Sequence, residues 1–411
     1  MAAIDPATDP VALQYEHYPY PHRDPADEAR RLIEGSPSHP VEIDHILHGG
    51  ARDWSRPFRA LVAGGGTGDG LIMLAQKLAD MRTPAEITYL DLSRAARAIA
   101  EARATARGLA SIRFVTAELG EAPGLGRFDY IDCCGVLHHL RDPEAGMRAL
   151  AAALAPGGGI GLMVYAPHGR DGVYPLQAAF GTLLADDPPA ERVRLARAAL
   201  GRLAPTHPFA RNPLVGDHRD GDAGLYDLLL HARDRPFRIG ELFSALGRAG
   251  LAPVRLLEPA RYEPERYLPA DPAFAERARR LSPAARAGLA EDLAGNMKTH
   301  VVYAAPVVSA PRPATAGPDA VAHLRGVAAD ALAAEVARRG RLRLTLDGLS
   351  FTLPLPRPAA RLIQSACRGG TLAQAAARLG LDWPSFLCEW APVERALAGF
   401  NLLHYSRGAR R

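Results

Sequence analysis

Cysteine is scarce: four residues in a chain of 411. Cys133 and Cys134 are adjacent, whereas Cys367 and Cys388 stand far from them. That pattern excludes a disulfide framework and reads as reduced, buried thiols. Long apolar runs are also missing. No stretch approaches the roughly 18 uncharged apolar residues of a membrane helix. The opening Met1–Pro6 segment has no basic region followed by an apolar one, so no secretory signal is expected and a cytoplasmic location is. No repeat recurs at a fixed period. The formal charge is only +4, and the arginines are scattered through Ala-rich helices. A clustered basic stripe is absent, so nucleic acid is not the expected partner. Compact metal-ligand spacings are absent too, so no metal is expected.

What is present is a chain too long for one core, with 48% hydrophobic and 23% charged residues, suited to two or three packed units. Residues 1–57 are rich in Pro, His and Tyr. Two prolines in Tyr15-Glu16-His17-Tyr18-Pro19-Tyr20-Pro21 argue against a regular helix there. Helices are predicted from about Asp24 to Glu34 and from Pro40 to His48. From Phe58 strands and helices alternate: strands at Ala60–Ala63, Ile87–Leu90, Ile112–Val115, Tyr130–Cys133 and Ile160–Tyr165, with single helices between the successive runs. Such alternation predicts right-handed parallel crossovers. It breaks over 167–237, then resumes with a helix at Ile239–Ala249 and strands at Pro253–Leu257 and Thr299–Ala304. The expected fold is α/β: a seven-stranded, doubly wound, mostly parallel sheet spanning 58–305. Residues 1–57 are read as a lid or arm. Insertions 167–237 and 259–295 are read as a cap over the ligand-binding edge.

A Pro/Ala/Ser-rich linker, 306–318, leads to a smaller α+β unit at 319–407. There Asp347-Gly348 joins two strand-like runs as a hairpin, and helices follow at Pro358–Cys367, Thr371–Leu379 and Pro384–Phe400. That unit is read as winged-helix-like. Its arginines are not concentrated on a recognition helix, so a docking or homodimer-forming role is expected over DNA reading.

The chemistry-bearing motif is Gly64-Gly65-Gly66-Thr67-Gly68, between strand and helix. Glycines let the backbone approach a ligand, and the helix start offers unpaired N–H groups. A P-loop would need Lys-Ser/Thr where Gly70-Leu71 stand. A dinucleotide fingerprint would need glycine where Asp69 stands. The spacing that fits, Gly64, Gly66 and Gly68, is one used for a nucleoside whose amino-acid tail lies over the turn. Asp91, closing the second strand 23 residues after Gly68, is placed to accept ribose hydroxyls; the competing readings are a solvated turn or the N-cap of the next helix.

With Thr116-Ala117-Glu118 after strand three, Phe128-Asp129-Tyr130-Ile131 as strand four, then Gly135-Val136-Leu137-His138-His139-Leu140 and Leu154-Ala155-Pro156-Gly157-Gly158, the chain resembles the class I S-adenosylmethionine-dependent methyltransferases. The resemblance covers 58–165 closely and 239–305 in outline. It implies the Rossmann-like fold, S-adenosylmethionine as cofactor, and a cofactor site formed by Ala63, Gly64, Gly65, Gly66, Gly68, Asp91, Leu92, Glu118, Leu119, Cys133, Cys134 and Gly135. Of these, Glu118 and Leu119 would border adenine, and Cys133–Gly135 the methionine part. One departure stands out: the family often carries an acid where this chain has Val62. A core followed by such a tail is also similar, in architecture, to bacterial lysine methyltransferases that act on outer-membrane proteins.

Methyl transfer from a sulfonium needs alignment and a dry cavity; it needs a base only if the acceptor must lose a proton. Candidates for that chemistry are His138, His139, Tyr20 and His218. Asp217, His218, Tyr226, Asp227 and His231 are candidates for the acceptor cap, His231 lying one helical turn after Asp227. The acceptor, a protein side chain or a small molecule, is not specified. The absent acid at Val62 and the appended C-terminal unit also admit a non-catalytic, S-adenosylmethionine-binding regulatory protein.

Overall fold

In the computed structural model the described residues are 9–407; Met1–Pro6 lies outside them. A seven-stranded sheet forms the centre, ordered β3-β2-β1-β4-β5-β7-β6. Its strands are β1 (Phe58–Ala63), β2 (Ala85–Asp91), β3 (Ile112–Thr116), β4 (Phe128–Cys134), β5 (Leu154–Tyr165), β6 (Leu251–Leu256) and β7 (Thr299–Pro306). β1 to β5 pair in parallel, whereas β7 runs antiparallel to both β5 and β6. The alternation of β1 and β4 explains the two-faced core. Leu61, Ile131 and Cys133 pack with Leu162 on one face. Ala60, Val62 and Tyr130 pack with Leu71, Leu74 and Leu78 on the other. Strand order reverses where β1 meets β4, and the gap between diverging loops at such a point is where open α/β sheets hold ligands.

The helices of the first part of the chain are α1 (Pro10–His17), α2 (Pro40–Leu47), α3 (Asp69–Asp80), α4 (Arg94–Ala106) and α5 (Pro143–Ala152), and all but α2 contribute residues to the wall of the cavity at this edge. α1 corrects the expectation for Tyr15–Pro21. The helix includes Tyr15, Glu16 and His17 and closes at Tyr18, just before the prolines. Asp9 caps it, its carboxylate accepting from Val11 N–H at 2.9 Å, with Pro10 at the tolerated first position. The helix expected from Asp24 to Glu34 is instead one 3-10 turn, Pro25–Ala29. Glu28 there is drawn inward onto Arg103 of α4, at 2.7 Å, so tertiary ion pairing overrides local helix preference.

Residues 167–237 form helices, among them Val173–Leu183, Pro189–Leu200 and Asp222–Leu229, closed by their own apolar cluster around Phe180, Phe209 and Leu225. Residues 259–295 do not join them. They contribute nothing to the wall of the cavity at the β1/β4 gap; they leave β6, the outermost strand on the far side of the sheet, and pack beside the C-terminal unit through Arg261–Asp347 at 2.6 Å.

That unit contains β8 (Ala320–Leu324), a hairpin of β9 (Arg341–Leu346) and β10 (Leu349–Pro354), three consecutive helices Ala359–Cys367, Leu372–Arg378 and Trp383–Ala398, and β11 (Leu403–Arg407). The hairpin turn has positive φ at Asp347 (45°) and Gly348 (77°), as a tight two-residue connection requires. Two features were not expected: a helix Ala329–Arg339 before the hairpin, and antiparallel pairing of β11 with β8. The hairpin precedes the three helices, and among the described residues only the single strand β11 follows them, so the order is not that of a winged helix. Trp390 anchors the core here, its indole donating to the Tyr405 hydroxyl at 2.7 Å. The unit is tied to α2: Asn401 Nδ2 donates to Glu42 at 2.6 Å and the Tyr405 N–H to His45 Nδ1 at 3.0 Å.

Candidate active site

β1 ends in the glycine turn, and the turn is built as the sequence requires. Gly64, Gly66 and Gly68 have φ of +72°, +50° and +101°. A Cβ on Gly64 would fall 2.3 Å from the Val136 side chain, and one on Gly65 2.3 Å from the Tyr89 ring. Gly68 begins α3 with no side chain capping its first turn, which leaves helix N–H groups and the positive dipole end for a ligand. Asp91 closes β2 beside the turn. Its carboxylate accepts the Gly66 N–H at 2.7 Å and the Ser93 N–H at 2.8 Å. Burial raises its pKa and those N–H bonds oppose the rise. Ser93, not Asp91, is the N-cap of α4, accepting from Ala96 N–H at 3.0 Å. Asp91 is therefore neither a solvated turn residue nor a cap.

A cavity of about 590 Å³ opens at this edge, within the range of small-molecule sites. Gly64, Gly65 and Gly66 line it, with Asp91, Leu92, Glu118 and Leu119 along one side and Cys134 and Gly135 along another. Ala63, Gly68 and Cys133 do not. Strand alternation explains Cys133: it points into the core with Ile131, on the face opposite Cys134. Of the remaining candidates, Tyr20, His139, Asp217 and Asp227 reach the cavity. His138, His218, Tyr226 and His231 stand behind its wall. His138 is fully buried, against the Tyr165 ring at 4.0 Å. His218 packs on Phe209 and Tyr226 stacks on Tyr18. Tyr15, in the segment read as a lid, lines the cavity; sequence reasoning missed Tyr165, Arg170 and Asp132, which line it too. An aspartate inside an otherwise apolar parallel strand was the available signal for Asp132.

The N-terminal segment closes one side. Thr67 Oγ1 donates to the Pro21 carbonyl at 2.7 Å and Ser93 Oγ to the Tyr15 carbonyl at 3.1 Å. Glu16 accepts the N–H of Arg94, at the positive end of α4. Beneath lies an ion cluster: Arg103, 1% exposed, bridges Glu28 and Asp69 at 2.7 Å each, and Arg23 holds Asp69 at 2.6 Å. Removing one member of a buried cluster strands its partners. Arg103→Met is expected to cost about 3 kcal/mol, the low end of the range because Arg107 and Arg23 remain on the two acids. Urea unfolding checks it; a change under about 1 kcal/mol would mean the cluster is electrostatically idle.

The opposite end of the cavity is a chain of hydrogen bonds whose directions can be assigned. The Arg233 carbonyl can only accept, so His139 Nδ1, 2.8 Å away, carries hydrogen, and in the neutral ring the lone pair is on Nε2. The Arg233 N–H can only donate, so His231 Nδ1, at 2.9 Å, accepts it. Burial, with His139 and nearby arginines, drives the His231 pKa well down. Neutral His231 therefore bears its proton on Nε2 and offers it to the Tyr15 hydroxyl at 3.1 Å. Tyr15 in turn donates to Asp227 at 2.9 Å, and Tyr165 donates to the other Asp227 oxygen at 3.3 Å. His139 stacks on His231 at 3.8 Å. Ligand atoms of His139, Asp227 and His231 lie within 4.8 Å of one another, as do those of His138, His139 and Asp234. Asp217, which accepts from Tyr20 at 3.3 Å, and Asp227 form no ion pair among the described residues. Arg170 is committed to Asp234 at 3.2 Å and to the Tyr165 ring at 3.7 Å.

Comparison with known proteins agrees with this layout. A family model described as a methyltransferase domain matches residues 61–160. An uncharacterized protein of Synechococcus sp. is 36% identical over 190 residues, which are 44% of this chain and 43% of that protein, so the match spans less than half of that relative's length. The solved structure of PKMT2 from Rickettsia typhi in complex with AdoHcy is similar with a TM-score of 0.62 at 13% identity, covering 90% of this chain and 76% of that one. PKMT2 without that ligand gives 0.59, covering 95% and 75%. At that identity the likeness is one of fold. Among the described residues no helix is long and apolar enough to cross a membrane.

Proposed function

We propose, from the premise that residues 61–160 form a class I methyltransferase domain, that the chain transfers a methyl group from S-adenosylmethionine to an amine, with a lysine-type side chain as the acceptor class. The cavity suits the cofactor chemically: a glycine turn that admits no Cβ at Gly64 or Gly65, an uncapped helix start and a half-buried carboxylate at the end of β2. Asp91 would hold the ribose, Glu118 and Leu119 would border the adenine, and Gly64–Gly66 with Gly135 would carry the amino-acid end. When bound, the cofactor supplies an electrophilic methyl group on a sulfonium.

The observation that carries the acceptor reading is the fixed tautomer of His139. An amine arrives protonated and must lose a proton before it is a nucleophile. His139 lines the cavity, and its Nδ1 bond to the Arg233 carbonyl means that the neutral ring would carry its lone pair on Nε2. Asp217 and Asp227, without paired cations, attract the ammonium form, and the hydroxyls of Tyr15, Tyr20 and Tyr165 orient those carboxylates. The tyrosine rings exclude water and supply faces for a cation.

The test is transfer of tritiated methyl groups from S-adenosylmethionine into a cell extract and into lysine-containing peptides. Alkali-stable label that chromatographs as methyl-lysine is expected. Alkali-labile label would place the methyl on a carboxylate and sink the amine reading. Cofactor binding with no transfer to any acceptor would favour a regulatory, non-catalytic protein.

A further inference from the structure

The family resemblance implies an acid on β1, two residues before the first glycine, and Val62 stands there. The sheet register shows another source for that charge. Val62 of β1 is paired in parallel with Asp132 of β4. Residues at one level of a parallel pair face the same side of the sheet, and both line the cavity. Asp132 is 3% exposed. Its carboxylate accepts from the Ser38 hydroxyl and from Cys134, and no lysine or arginine pairs with it among the described residues. A buried carboxylate without a cation is costly, and burial lifts its pKa to about 6. Its position is the start of α3: a Cβ on Gly70 would lie 2.8 Å from Asp132 Oδ2. Glycine at 70 therefore leaves the carboxylate its place beside the glycine turn.

We infer that Asp132 is the carboxylate that receives the α-ammonium of the cofactor, one strand over from where the family places it. The inference rests on the cofactor reading above. A cavity-lining acid that lacks a cation is completed by a ligand that brings one. The N-terminal segment shares in this end of the site, since Ser38 both orients Asp132 and donates its N–H to Tyr303 at 3.2 Å. Replacing Val62 by an acid while Asp132 remains would crowd two carboxylates into one register pair, which explains why only one of the two positions is charged.

The experiment is a calorimetric cycle with S-adenosylhomocysteine and its analogue lacking the α-amino group, each titrated into the wild-type chain and D132N. A charged hydrogen bond makes the wild type prefer the amino-bearing ligand by roughly tenfold or more, and D132N is expected to bind the two alike, within about twofold. D132N retaining the wild-type preference would overturn the assignment. If D132N fails to fold by thermal unfolding, the wild-type pair decides: equal affinity for the two ligands overturns it, and a tenfold preference supports it. Wild type that binds neither ligand would instead defeat the cofactor reading.

Discussion

Asp91→Ala is expected to weaken S-adenosylmethionine binding by about 1–3 kcal/mol, roughly 5- to 150-fold in Kd. Asp91 is a cavity-lining carboxylate proposed above to accept the ribose hydroxyls, and it also holds the glycine turn through the Gly66 N–H at 2.7 Å. Alanine removes both contributions. Asp91→Asn keeps an oxygen for Gly66 while removing the charge, so it separates turn geometry from ligand binding: most of the loss should persist in Asn if the carboxylate binds the ribose. Calorimetry on folded protein checks both variants. Unchanged affinity in Asp91→Ala would mean the ribose is held elsewhere.

The larger effect on turnover is expected at His139. Loss of a general base typically costs about 10²- to 10⁴-fold, and His139→Gln should lower kcat by that order while cofactor affinity stays within about twofold. Glutamine can still donate to the Arg233 carbonyl but has no basic nitrogen. His138→Gln is the control: His138 stands behind the cavity wall, and its replacement should disturb packing against Tyr165 more than chemistry. Equal kcat losses in the two variants, or a His139→Gln enzyme within a few-fold of wild type, would remove His139 from the base role.

Much of the sheet was legible because its signals are local. A short apolar run, a glycine turn and a helical stripe follow one another at β1 and α3, and Asp91 closes β2. Reversal of β7 was not legible, since strand direction at a sheet edge depends on crossovers rather than on composition. β5 begins at Leu154 rather than Ile160, because a Pro-Gly-rich stretch reads as a turn although it enters the strand through an irregular register. α1 was hidden by prolines that lie just beyond its end. At the site, the family resemblance carried over Cys133 with Cys134 and Gly135, whereas the two-residue period of a strand puts the two cysteines on opposite faces. Tyr15 and Asp227 are 212 residues apart in sequence, and only the fold brings the arm to the cap. The insertion 259–295 looked like 167–237 in sequence; the strand each leaves decides which of them covers the cavity.

The most direct test of the account is a calorimetric titration of the chain with S-adenosylmethionine and, as a control for the shared α/β fold, with NAD. The account predicts saturable binding of S-adenosylmethionine and none of NAD. Saturable binding of NAD alone, or of neither by a folded protein, would contradict it.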